Sequence, residues 1–155
     1  MIHMYVDKIY SRYAARVEVA CEKANALLKD GAFLAFLHDS KPEGFEFTGT
    51  ELITGRDVAE KIVRSEIESA ICSYTPRWYQ FVQRNVLAYV SHGDTVIYIN
   101  TWNLARSVES IAGTLVHEYT HVLGYEHGNN SSKGKQDSIP YWMGSAAKNW
   151  LESHR

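Results

Sequence analysis

Three imidazoles and two carboxylates fall within eleven residues: His117-Glu118-Tyr119-Thr120-His121-Val122-Leu123-Gly124-Tyr125-Glu126-His127. The run fits H-E-x-x-H-x-x-G-x-x-H at all five fixed positions. The spacing predicts a divalent metal site. A helix turns 3.6 residues per turn, so His117 and His121, four apart, project from one face and reach a common ion. Glu118 sits at the margin of that face, displaced from the ligand positions but placed to hydrogen-bond water. Gly124 lacks a Cβ and can take the left-handed conformation that ends a helix. The chain then turns, and His127 swings back toward the other two. Three protein ligands leave a fourth tetrahedral position to water, the arrangement of a catalytic rather than a structural zinc site. Glu126 is an alternative oxygen ligand, but the spacing favours His127. The bland alternative is a solvated helix end that happens to carry histidines. The added glycine and third histidine argue against coincidence.

The motif resembles the active-site signature of the metzincin clan of zinc metallopeptidases, which continues into a methionine-containing turn. Pro140-Tyr141-Trp142-Met143-Gly144 follows in the same order along the chain. Met143 therefore looks like the Met-turn methionine, bracketed by turn-forming Pro140 and Gly144, although a gap-filling core methionine is the ordinary alternative. Ser145 then caps a final helix over residues 146–153. The resemblance covers roughly residues 78–154. It implies one catalytic Zn2+ held by His117, His121 and His127, with Glu118 as general base for a metal-activated water. It also implies an edge strand lining the cleft, here Val86, Leu87, Ala88, Tyr89 and Val90, to which an extended peptide adds as an antiparallel strand. Gly124 and Met143 have structural roles at the site. Tyr141 is a candidate aromatic or oxyanion contact, whereas Tyr119 and Tyr125 read as packing. In some metzincins a tyrosine follows the Met-turn methionine by two residues; Ser145 stands at that position here. Gly128, after the third histidine, assigns no subfamily.

The elements needed to hold such a site can be read upstream. Residues 86–90 and 95–100 are β-branched and aromatic runs separated by a Gly93-Asp94 turn, a hairpin signature. Ser107 caps a helix running to about Leu123, with Ile111, Leu115, Val122 and Leu123 near helical spacing. Gly113 inside it suggests close packing against the sheet. Earlier, residues 8–29 read as a helix ended by Asp30-Gly31, residues 32–37 as strand or helix, and 39–44 as a loop. Residues 45–53 read as a strand, 54–73 as a second helix stopped by Pro76, and 78–82 as a strand. The polar stretch 128–138 reads as a mobile loop. The fold expected is α+β and zincin-like: a mixed twisted sheet with an antiparallel edge strand, an active-site helix, a Met-turn and a C-terminal helix.

At 155 residues, with 45% hydrophobic and 22% charged residues, the chain is expected to be one soluble domain, 1–155, and a monomer. A net charge of −2 argues against nucleic acid or an anionic membrane as partner. No apolar run approaches a membrane span. No basic n-region with a long apolar segment opens the chain. The expected location is cytoplasmic, or exported without such a signal, with a mature secreted form as a further option. Cys21 and Cys72 read as two buried thiols, with a single disulfide as the alternative. His3, His38, His92 and His154 read as solvated. The function expected is peptide-bond hydrolysis by a zinc endopeptidase. The alternatives are an inactive zinc-binding interaction module and a peptidase-fold toxin or effector.

Overall fold

Four strands form one mixed sheet, ordered β1-β4-β6-β5. They are β1 (His3–Lys8), β4 (Glu68–Tyr74), β5 (Ala88–Val90) and β6 (Val96–Asn100). The computed structural model describes residues 3–41, 43–47, 51–127 and 138–154. The helices are α1 (Ala14–Leu27), α2 (Gly31–Ser40), α3 (Gly55–Arg64), α4 (Val108–Val122) and α5 (Ile139–Ser153). A separate two-stranded hairpin pairs β2 (Phe45–Phe47) with β3 (Glu51–Ile53). The fold is α+β. The four-stranded sheet pairs β1, β4 and β6 in parallel and β5 antiparallel to β6. α5 packs on α4.

The core forms where the apolar face of the sheet meets α1 and α4. Met4, Ile71, Ile97 and Ile99 are fully buried from the sheet side. Val17, Ala20 and Ala24 of α1 and Ile111, Ala112, Leu115 and Val116 of α4 bury against the same core. The opposite sheet face carries Tyr5, Tyr74, Tyr89 and Tyr98. Tyr89 and Tyr98 are direct cross-strand partners, and their rings stack at 5.1 Å. Such pairs stabilise a sheet on its more exposed side, where Tyr5 and Tyr89 meet solvent.

Several sequence expectations are corrected. Residues 3–8, at the boundary of the expected first helix, are strand β1, and α1 begins only at Ala14. The run 54–73 divides into helix α3, ending at Arg64, and strand β4. The reason lies in β4's inward side, which reads Ser69, Ile71 and a half-buried Ser73. Two serines hide the alternation, and the helical spacing of Ile67 and Ile71 imitates a continued helix. Residues 78–82 are not a strand. Trp78 and Val82 are 77% and 90% exposed, so no neighbouring layer receives an apolar face. Arg77 N–H instead donates to Gln80 Oε1 at 2.8 Å, leading into a 3-10 turn at Phe81–Asn85. Residues 32–37 resolve as helix, within α2, whose N-cap Asp30 accepts from Phe33 N–H.

The expected Met-turn is also corrected. Pro140, Met143 and Gly144 lie inside α5, which starts at Ile139 with Ser138 as its N-cap. Proline near the start of a helix is as much a start signal as a turn signal, because the missing N–H has no intrahelical acceptor there. Ser145 is therefore an interior residue rather than a cap. Met143 is fully buried. The polar stretch expected to be a mobile loop falls, except for Ser138, outside the described residues. Cys21 and Cys72 are both free thiols, and Cys72 lies on a strand rather than a helix.

Candidate metal centre

Helix α4 delivers the first two histidines. Its N-cap Ser107 accepts from Ser110 N–H at 3.1 Å. The helix is buried along most of its length, so its register is held by packing rather than by propensity. Residue 113 must be small. A Cβ there would stand 2.7 Å from the carbonyl oxygen of Gly144 on α5 and 3.0 Å from Lys148 Cβ. The close approach predicted for Gly113 is thus real, but its partner is α5 and not the sheet. Gly144 answers from the other side, where a Cβ would lie 3.0 Å from both the Gly113 oxygen and His117 Cβ. The two glycines bring the helices together beneath His117.

The end of α4 places the third histidine. Gly124 has φ +90°, the left-handed conformation that a side chain resists. Gly124 N–H donates to the His121 carbonyl at 2.9 Å, and Tyr125 N–H to the Thr120 carbonyl at 3.0 Å. This is the Schellman pattern of a helix stop. The buried Tyr125 ring anchors the turn, with Lys61 Nζ 4.5 Å from its centroid. The Tyr125 carbonyl then accepts from His121 Nδ1 at 2.7 Å. A carbonyl cannot donate, so His121 carries its proton on Nδ1 and presents a lone pair on Nε2. One turn of backbone both ends the helix and sets the tautomer of His121.

His117, His121 and His127 form a cluster that could hold a metal ion, with one ring nitrogen of each within 4.8 Å of the others. His121 Nε2 and His127 Nε2 are 3.1 Å apart. Two nitrogens bound tetrahedrally at the usual zinc distance stand about 3.3 Å apart, so the pair suits a shared ion with little adjustment. His127 Nδ1 meets Ser138 Oγ at 2.8 Å. Burial, then the neighbouring rings of His121 and His127, push His117 down to about 3. Burial likewise lowers His121. Neutral imidazole is the ligating form, so the donor set fits a divalent cation of the kind that takes nitrogen ligands.

The other predicted site residues lie around this cluster. Glu118 is 5% exposed, lines the same cleft, and is pushed up to about 7 by burial. The Tyr141 ring packs 4.7 Å from His117 and 4.8 Å from His127. Met143 sits behind it in the core. Glu126 stays outside the cluster; it is 64% exposed and pairs with His92 Nδ1 at 2.9 Å. Val86, Leu87, Ala88, Tyr89 and Val90 line the cleft, a space of about 1040 Å3; the regular strand covers only the last three. β5 is an edge strand, so among the described residues one of its sides has no partner strand. Asn100 N–H donates to the Leu87 carbonyl at 3.0 Å, which makes that pair hydrogen-bonded. The antiparallel alternation then turns the N–H and C=O of Ala88 and Val90 to the open edge.

Sequence reasoning missed Gly144 and Ser138 as residues that position the histidines, and Arg106 in the cleft wall. A mid-helix glycine is a costly choice that usually marks close packing; that signal at Gly144 was masked by its reading as a turn. A scan against protein-family models, a search of curated proteins and a search of solved structures found no match to the chain.

Proposed function

We propose that the chain is a zinc-dependent endopeptidase of the kind its motif resembles. The observation that carries this is the convergence of three imidazoles beside a buried carboxylate, at the floor of a cleft bounded by an open strand edge. His117, His121 and His127 would hold the ion. Zinc bound there supplies Lewis acidity toward water and toward a substrate carbonyl. Glu118 takes a proton from the attacking water onto a carboxylate oxygen and returns it to the leaving amine. A carboxyl group poised near neutrality suits both transfers. Ala88 and Val90 orient an extended peptide by strand addition. Tyr141 closes the cluster on the α5 side. None of these roles needs a turn at Met143, since the α5 backbone itself supports His117.

The test is metal analysis of the purified protein together with cleavage of a peptide library by wild type and Glu118→Gln. The expected result is one equivalent of zinc in both proteins and hydrolysis only in wild type. Hydrolysis retained in Glu118→Gln would remove Glu118 from its role. Zinc uptake with no hydrolysis by wild type would leave a metal-binding module and end the peptidase reading.

A further inference from the structure

Arg106 occupies one end of the cleft. Its Nε donates to the Asn103 carbonyl at 2.7 Å. Its Nη1 donates to Ser110 Oγ at 3.1 Å and to Thr114 Oγ1 at 2.9 Å. All these acceptors are neutral. Nη2 is buried and, among the described residues, has no hydrogen-bond partner. Among the described residues no carboxylate forms an ion pair with it, and burial without any compensating acid lowers its pKa. Buried cations are ordinarily paired, because desolvating an unmatched charge is costly. Guanidinium is also the side chain best shaped to grip a carboxylate.

The charges along the cleft are segregated. Glu118 adjoins His117 and Glu126 pairs with His92 in the β5–β6 turn, whereas Arg106 sits on Ser110 and Thr114 and Lys148 lies beside Gly113, nearer the start of α4. Lys148 is itself half matched by Glu152, at 3.3 Å. Thr114 precedes His117 by three residues, about 4.5 Å of helix rise. The guanidinium is therefore within one to three residues of extended peptide, at about 3.3 Å each, of the histidine cluster.

We infer that Arg106 is a specificity-determining residue of this cleft, the receptor for a substrate carboxylate on the C-terminal side of the scissile bond. The inference rests on the peptidase reading for its direction. Asn103, whose carbonyl Arg106 grips, also donates from Nδ2 to the Val86 carbonyl at 3.1 Å. Arg106 thus marks the start of the edge strand, and the His92–Glu126 pair marks its other end. A peptide added antiparallel to β5 enters with its N-terminal part beside Val90 and leaves with its C-terminal part toward Val86 and Arg106. The carboxylate is either an acidic side chain there or the free C-terminus of a short substrate.

The experiment measures equilibrium binding of labelled peptides to zinc-loaded Glu118→Gln protein, in which the proposed base is removed. In one arm, C-terminally amidated peptides differ only in Glu against Gln, scanned over three positions. In the other, a neutral peptide ends in a free carboxylate or an amide. Tighter binding by about tenfold is expected for the carboxylate member of one arm, and that arm names the source. Adding Arg106→Gln should erase the difference between charged and neutral peptides; a merely structural arginine would weaken both by the same factor and leave the difference intact. Arg106→Lys, which keeps the charge but not the fork, should retain part of the preference, and it decides the matter should Arg106→Gln not fold. Equal binding of charged and neutral peptides in both arms, or no binding of any, overturns the inference. Wild-type cleavage of the same peptides separates the two claims. Hydrolysis without carboxylate preference sinks Arg106 alone, and preference without hydrolysis sinks the peptidase reading alone.

Discussion

Adding one methyl group at the α4–α5 crossing tests how the site is supported. In Gly113→Ala the new Cβ would lie 2.7 Å from the Gly144 carbonyl oxygen, closer than such atoms can approach. The obstacle is backbone, so the helices themselves must part. Overpacking of this kind costs about 1–3 kcal/mol, and contact with main chain places it near the upper end. Replacing a helical glycine by alanine returns about 1 kcal/mol of propensity. The net loss is then about 2 kcal/mol, a fall in Tm of about 4–8 °C for a chain of this size. Gly144→Ala meets its neighbours at 3.0 Å, a milder clash that the propensity gain largely offsets. One of those neighbours, however, is His117 Cβ, so the metal site receives the displacement directly. The two variants should therefore rank in opposite orders. Gly113→Ala loses more stability, measured by denaturant unfolding in chelator. Gly144→Ala loses more metal affinity per unit of stability, measured by competitive titration. Gly31→Ala, with nothing within 4 Å of its new methyl group, is the control and should unfold no earlier than wild type. A Gly113→Ala protein as stable as wild type would refute the close crossing and with it the account of how His117 is supported.

Ser138→Ala removes the contact to His127 Nδ1, and metal affinity measured by competition with a chromophoric chelator should fall by about 10–100-fold while the ligand set remains complete. Gly124→Ala forces a side chain into a φ of +90°; it should cost about 1–2 kcal/mol in thermal unfolding and weaken metal binding as well, since the same turn holds His121 Nδ1. Cys21 is pushed up to about 11, chiefly by burial, so at pH 8 a thiol reagent should modify the half-buried Cys72 well before Cys21, as read by mass spectrometry. The raised value also means that the folded state favours the Cys21 thiol over the thiolate. That contribution is whole below the ordinary pKa of 9.0 and is lost as pH climbs toward about 11. A Cys21→Ala variant should therefore lose less stability than wild type between pH 8 and pH 11 in urea titrations.

The parts of the site visible in the sequence are those governed by local spacing. His117 and His121 share a face because the helix period demands it, Gly124 ends the helix because only a residue without Cβ takes that conformation cheaply, and the β5–β6 hairpin announces itself through two β-branched runs around Gly93. What escaped depends on partners distant in the chain. β1 and β4 pair in parallel across more than sixty positions, and β4 turns Ser69 and the half-buried Ser73 to the same side as Ile71, so neither strand carries a usable alternation of its own. Gly144 reads as a turn former until Gly113 is seen opposite it. Arg106 reads as an ordinary loop cation until the fold surrounds it with neutral oxygens and one wall of a cleft.

The metzincin resemblance implies a turn beneath the metal, and this chain places a helix there instead. The physical requirement is a firm floor that fixes the histidine rings, and a helix meets it in three ways. Its N-cap Ser138 reaches His127 Nδ1, Tyr141 in its first turn packs against His117 and His127, and Gly144 in its second turn lets the backbone rest under His117. These contacts come from one rigid segment at intervals of three residues, the spacing at which helical side chains share a face. The three histidines are thus held by α4, by the turn that ends it and by the start of α5. A bound ion would tie those three pieces together, and loss of the ion would be felt first where α5 begins.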